Sequence, residues 1–150
     1  MRRIYIGCSL THSPQEFKDL VLNLKEKLKG EYEVFEFLGL EKGTATDVYH
    51  EDVGRCVARC DLFVAICDHS SLGLGYEMAT ALEKYSKPTL GLGHEDSNIS
   101  RLVIGIDHPM YEFRRYKTLD EIILFIKEKE LKHFKPVASA EICETDVCAV

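Results

Sequence analysis

Asp61-Leu62-Phe63-Val64-Ala65-Ile66-Cys67-Asp68-His69-Ser70-Ser71-Leu72-Gly73-Leu74-Gly75-Tyr76-Glu77 is the stretch on which the fold turns. From Leu62 to Cys67 every side chain is apolar, so both faces of that segment need cover. A strand with one wet face alternates, whereas an unbroken apolar run is what a central parallel strand between two helical layers requires. The second half is a polar, glycine-bearing turn over Asp68 to Gly75 that hands the chain to a helix through Met78, Ala81, Leu82 and Tyr85.

Working upstream, Ile4-Tyr5-Ile6 opens a first strand that ends near Ser9. Ser13-Pro14-Gln15-Glu16 then supplies an N-cap, a proline at the first helical position and a reciprocal glutamate. Phe17, Leu20, Val21, Leu24 and Leu28 make the apolar face of that helix. A short strand over Tyr32 to Phe37 and a Gly- and Thr-containing loop lead to a helix from about Asp47 to Cys60, with Val53, Cys56, Val57 and Cys60 inward.

Downstream, Pro88-Thr89-Leu90-Gly91-Leu92 reads as the next buried strand, followed by a loop from Gly93 to Pro109 and a strand over Tyr111 to Tyr116. A Thr118-x-x-Glu121 capping box opens the last helix, with Leu119, Ile122, Ile123 and Ile126 facing the core. Strands alternating with helices force crossover connections. The expected fold is therefore α/β: a doubly wound, mostly parallel five-stranded sheet with helices on both faces, of Rossmann or flavodoxin type. Ligands of such sheets bind beyond the carboxyl ends of the strands, where Ser9, Asp68 and Ser71 fall. One domain over residues 1–134 and a loosely held tail over residues 135–150 complete the expectation.

The chain has 150 residues, 45% hydrophobic and 29% charged, enough for one compact core and neither disordered nor fibrous in composition. Its formal net charge of -6, with Lys and Arg scattered among acids, argues against a nucleic-acid polymer as partner and leaves room for a free nucleotide in a local pocket. Met1-Arg2-Arg3 runs straight into strand-like sequence and no apolar stretch reaches spanning length, so no signal peptide, no membrane and a cytosolic location are expected. Cys8, Cys56, Cys60, Cys67, Cys143 and Cys148 lack paired C-x-x-C spacing and read as reduced thiols. Cys56 and Cys60, with His50 nearby, read as packing residues and not as metal ligands; neither a metal nor a cofactor is expected.

As a dinucleotide fingerprint the Gly73-Leu74-Gly75 segment fails. It lies well past the strand end, Met78 occupies the third glycine position, and the first strand is followed by no such motif. Backbone N–H groups around Ser71 to Gly75 can instead cradle an anion at a helix N-terminus, and Glu77 is expected in the first turn, where the dipole favours its ionised form. An ionised carboxylate beside a sugar is a ready nucleophile.

The segment from Ser71 through Gly73-Leu74-Gly75-Tyr76-Glu77 resembles the nucleoside 2-deoxyribosyltransferase superfamily, whose members carry an acidic or Ser residue and then Gly-x-Gly-(Tyr/Met)-Glu after the corresponding strand. Ile4-Tyr5-Ile6-Gly7-Cys8-Ser9-Leu10 resembles the family's first strand and turn, and Asp52, nine residues before Asp61, its helix-borne acid; order and spacing agree from Arg3 to Leu92. The resemblance implies Glu77 as nucleophile, Tyr5 as the residue that orients it and Asp52 as the group assisting protonation of the departing base. Ser71, where the free-nucleoside transferases have Asp, points to the 2'-deoxynucleoside 5'-phosphate N-hydrolases. A hydroxyl donates to a phosphate oxygen, whereas a carboxylate there repels it.

Ser9, the backbone at Cys8-Ser9-Leu10, Ser71, Gly73 and Gly75 are then the expected phosphate side, and His69 a lining residue of the base pocket. The chain departs from the pattern at Cys8, where the hydrolases have Gly, at Ile66 and at Thr11, where an arginine is common. The expected activity is cleavage of the base–sugar bond of a (deoxy)nucleoside 5'-monophosphate, CMP-type hydrolysis included. Base exchange by a transferase and a non-catalytic nucleotide-sensing module are the alternatives. A homodimer is also implied, with the segment from Asn98 to Gly105 as the candidate contact. Singly, Glu77 is equally a solvated helix-start acid, Tyr5 a core aromatic, Asp52 a surface acid, and Ser9 and Ser71 turn or cap residues.

Overall fold

The computed structural model describes residues 1–37, 39 and 41–134. The expected tail with Cys143 and Cys148, and Leu38 and Leu40 of the loop, lie outside the described residues. Five strands form one sheet: β1 (Arg2–Cys8), β2 (Tyr32–Phe35), β3 (Leu62–Ile66), β4 (Thr89–His94) and β5 (Tyr111–Tyr116). Their order is β2-β1-β3-β4-β5 and every pairing is parallel, with Ile4 opposite Leu62 and Cys8 opposite Ile66. The Rossmann or flavodoxin-like expectation holds, with β3 at the centre. Strand order reverses between β1 and β3, so a cleft opens there at the carboxyl edge.

Alternation along β1 sends Ile4 and Ile6 to one side and Tyr5 to the other. The first side packs on α1 (Gln15–Leu28) and α5 (Leu119–His133) through Phe17, Val21, Leu24, Ile122 and Ile126. The second carries Tyr5, Phe63 and Ala65 against Cys56, Val57, Cys60, Leu74, Met78 and Ala81. Cys56 and Cys60 are fully buried, with their thiols directed at the Glu36 and Val57 carbonyls, as packing residues would be. The β3 side chains from Phe63 to Ile66 have no exposed surface, which is why that run has no polar position.

Several local expectations need correction. Ser13 does not cap α1: its hydroxyl donates to the Ser9 carbonyl at 2.5 Å, and Pro14 stands in the capping position. β2 stops at Phe35 because the chain turns out of the sheet toward the loop. The helix expected from Asp47 begins as α2 (Ala45–Val48), capped reciprocally by Thr44 and Asp47, and continues as a π-helix over Tyr49–Val57. At α5, Thr118 caps Glu121 as expected, but the Glu121 carboxylate reaches the Lys117 N–H and so does not close the box on Thr118. The loop after β4 contains α4 (Arg101–Ile104).

The turn after β3 is also shorter than expected. α3 (Leu72–Ala79) begins at Leu72, followed by a π-helical stretch over Thr80–Lys84, so Gly73 and Gly75 are helical and Glu77 stands in the second turn. Among the described residues no helix is long and apolar enough to cross a membrane.

Candidate active site

Three elements converge on the candidate site. β1 supplies Tyr5, the π-helix Tyr49–Val57 supplies Asp52, and α3 supplies Glu77; all three side chains line one cavity of about 230 Å³ beyond the end of β1. Cys8, Ser9, Ser71 and Gly73 line it as well. π-Helical turns are rare and concentrate where a side chain must be aimed off the α-helical register, which is the position of Asp52.

Tyr5 is 2% exposed and stacked on Phe63, with ring centroids 5.5 Å apart, so its ring cannot swing. From that anchor its hydroxyl donates to Glu77 Oε1 at 3.3 Å. Burial, reinforced by the Glu77 and Asp52 charges, holds the phenol well above its ordinary value, so it remains a donor at neutral pH. Gly7 makes the approach possible. A Cβ there would come within 2.9 Å of Glu77 Oε2, of Leu74 Cδ1 and of Phe63 Cε2. In sequence the sign of this role is a glycine two residues after Tyr5, and so on the same face of the strand.

Glu77 is not simply an ionised helix-start carboxylate. Burial pushes its carboxyl up to about 7, the neighbouring Asp52 charge adds to the rise, and the Tyr5 hydrogen bond opposes it. The first-turn dipole argument is overturned on both position and direction. A carboxyl balanced near neutrality beside a second acid is a common arrangement for two carboxylates that must act in different protonation states. Cys8 lies in the wall as a neutral thiol, raised to about 11 by burial, with the Lys25 ammonium working against the rise and Glu77 adding to it.

Ser71 is the N-cap of α3: its Oγ accepts the Leu74 N–H at 3.2 Å, and its carbonyl accepts the Gly75 N–H. Those two amides are therefore used by the cap, and the expected backbone cradle narrows to the Ser71 hydroxyl hydrogen and the start of the helix. Ser9, 7% exposed, lines the same cavity from the turn after β1.

His69 and Gly75 are not brought to this cavity. They line a larger one, about 600 Å³, on the other side of Ser71 and Leu74, with Met78, Ile99, Leu102 and Val103. No carboxylate lines that larger space among the described residues. His69 stands edge-on to Phe17 with ring centroids 4.8 Å apart. Its neighbour Asp68 is a structural hub: the carboxylate accepts from the His94 N–H at 2.6 Å, Ser97 Oγ at 2.7 Å and Tyr116 Oη at 2.7 Å, binding the ends of β3, β4 and β5. Leu10, whose backbone belongs to the expected phosphate side, and Thr11 also line the small cavity, as do Phe37 and Val48, unforeseen because their approach depends on the path of the chain from β2 into α2.

No family model matches the chain, and no curated protein matches it. Among solved structures it is similar to the CMP N-glycosidase BcmB of Clostridium botulinum, with a TM-score of 0.66 and 18% identity over 85% of this chain and 98% of that one. At that identity the likeness is one of fold, and it extends over nearly the whole of that chain.

Proposed function

We propose that the chain is an N-glycosidase that hydrolyses the base–sugar bond of (deoxy)nucleoside 5'-monophosphates through a covalent glycosyl-enzyme on Glu77. The observation that carries the reading is the Tyr5 hydroxyl 3.3 Å from the Glu77 carboxylate, in a small cavity that Asp52 also lines. A protein that only binds nucleotides has no need of a nucleophile oriented by a buried phenol beside a second acid.

In the first half-reaction the ionised Glu77 carboxylate attacks the anomeric carbon as the C–N bond breaks through an oxocarbenium-like state. The bonding pair leaves with the base, and Asp52 assists delivery of the proton that neutralises it. Water then attacks the glycosyl ester and releases (deoxy)ribose 5-phosphate, restoring Glu77. The 5'-phosphate is held between Ser9, the Cys8-Ser9-Leu10 backbone and the Ser71 hydroxyl. A solved structure of the same fold bears the name of a CMP N-glycosidase, which supports a monophosphate as the substrate class.

The test is chromatographic detection of free base after incubation with nucleosides, their 5'-monophosphates and the ribonucleotides, with and without an acceptor base. Base release from monophosphates alone is expected. Exchange only with acceptor would make the chain a transferase, and silence across the panel would sink the enzyme reading. A second copy of the chain is the proposed partner, meeting the Asn98 to Gly105 segment, where Leu102 is 80% exposed across the larger cavity from Leu72 at 96%. Sedimentation at micromolar concentration reads this directly: a monomer would refute it. A free nucleotide substrate also fits the expected cytosolic location, which cell fractionation checks.

A further inference from the structure

The small cavity presents a charge problem. Glu77 and Asp52 line it, and among the described residues that line it there is no lysine, arginine or histidine. A phosphate monoester carrying roughly −1.5 to −2 charges at neutral pH would enter against that field. The formal net charge of -6 gives no help from a distance.

One buried cation lies just behind the wall. Lys25, on the inward face of α1, has a side chain only 3% exposed, and its Nζ pairs with Glu36 Oε2 at 2.8 Å. The same Nζ lies 4.8 Å from the centroid of the Phe37 ring. Its field also reaches the Cys8 thiol, where it opposes the effect of burial. Phe37 and Cys8 both line the cavity.

The pair is asymmetric in a way that a simple tie between α1 and the end of β2 does not require. The Glu36 side chain is 52% exposed while its partner is buried. A lysine's four-carbon stem can carry the ammonium out to a surface carboxylate, yet here the ammonium stays inside. Water screens the anionic end and leaves the cationic end unscreened, so the pair presents net positive potential inward, through the Phe37 and Cys8 wall.

We propose that Lys25 is the specificity-determining cation of this site: from behind the wall it offsets Glu77 and Asp52 and favours substrates that bear a 5'-phosphate over phosphate-free nucleosides. The inference rests on the glycosidase reading above. It makes Lys25 a residue that acts through the cavity wall, with no part in bond breaking.

The experiment compares kcat/KM for a nucleoside 5'-monophosphate and for its parent nucleoside in the native chain, Lys25→Met, Lys25→Arg and Glu36→Gln. Lys25→Met is expected to lower the monophosphate-to-nucleoside ratio about tenfold, mostly through KM, and Lys25→Arg to restore it to within about threefold. Glu36→Gln, at a half-exposed side chain, is expected to raise the ratio. Equal losses on both substrates, or an unchanged ratio, would mean that Lys25 only supports the fold, and the proposal fails. Should the native chain cleave neither substrate, the glycosidase reading falls and calorimetry with inorganic phosphate decides on Lys25 alone. Binding weakened by Lys25→Met supports it; binding unaffected, or absent from the native chain, overturns it. If Lys25→Met does not fold, Glu36→Gln carries the same decision, tighter phosphate binding supporting the proposal and unchanged or weaker binding ending it.

Discussion

The two cavities on either side of Ser71 differ in inverse relation to their size. The larger, about 600 Å³, is walled mainly by apolar side chains of α3 and α4 and contains no acid among its described lining residues; the smaller, about 230 Å³, holds Tyr5, Asp52 and Glu77. The difference follows from sheet topology. The small cavity sits where strand order reverses, so residues from β1, the π-helix and α3 converge without any one of them leaving its element. The larger lies between α3 and a loop fixed by Asp68, where surfaces meet but chemistry does not. Volume thus suits the larger cavity to contact, and convergence of titratable groups puts the proposed reaction in the smaller.

The sharpest way to break that contrast is Glu77→Gln. Turnover is expected to fall by on the order of 10³-fold or more, since no other carboxylate holds the same position. In the native chain activity is expected to rise with pH through about 7, as the nucleophile ionises. Stability should move the other way. The folded-state value of about 7 lies above the ordinary 4.5, so the Glu77 carboxyl stabilises the fold below about pH 4.5 and that contribution is lost as pH rises through about 7. Chemical denaturation across that window should therefore show Glu77→Gln gaining on the native chain by about 3 kcal/mol at most. A constant difference between the two would mean the carboxyl is not held in a desolvated place.

Gly7→Ala tests the geometry without touching a reacting group. Its Cβ would meet the Glu77 carboxylate, Leu74 and Phe63 at once, so kcat should drop by about 10²-fold as Glu77 is displaced, with a measurable loss of thermal stability. Near-native turnover would show that Glu77 works from elsewhere. The smallest effect belongs to the other cavity: His69→Ala is expected to change kcat/KM by less than about threefold. A larger loss would assign base recognition to the larger cavity and unite the two into one site.

The sequence carried the architecture because each element obeyed a local rule. The apolar run of β3 could only be central, and the apolar faces of α1 and α5 fell where their periodicity put them. Tyr5, Asp52 and Glu77 could be singled out only by resemblance, since spacing along a chain does not state that residues 5, 52 and 77 share a cavity. The differences lie in the cap of α3 and in burial. Two glycines read as loop and put Glu77 in the first turn, whereas Ser71 caps early and draws both into the helix. Its ionisation has a separate cause: the dipole is a property of a helix end, while desolvation is a property of the packed interior. Lys25 gives no sign in sequence, where it stands in the charged stretch Lys25-Glu26-Lys27 on a helix whose other charges face water.

The π-helix over Tyr49–Val57 has a consequence for how this chain tolerates length changes. Such a stretch is an α-helix with one residue more than its ladder needs, so a single-residue deletion within it can be absorbed by reverting to ordinary helix. The backbone would close up with its hydrogen bonds restored, while Asp52 would be turned by roughly 100° about the axis, away from Glu77. Lineages or libraries that lose one residue there would retain a folded scaffold stripped of its second acid.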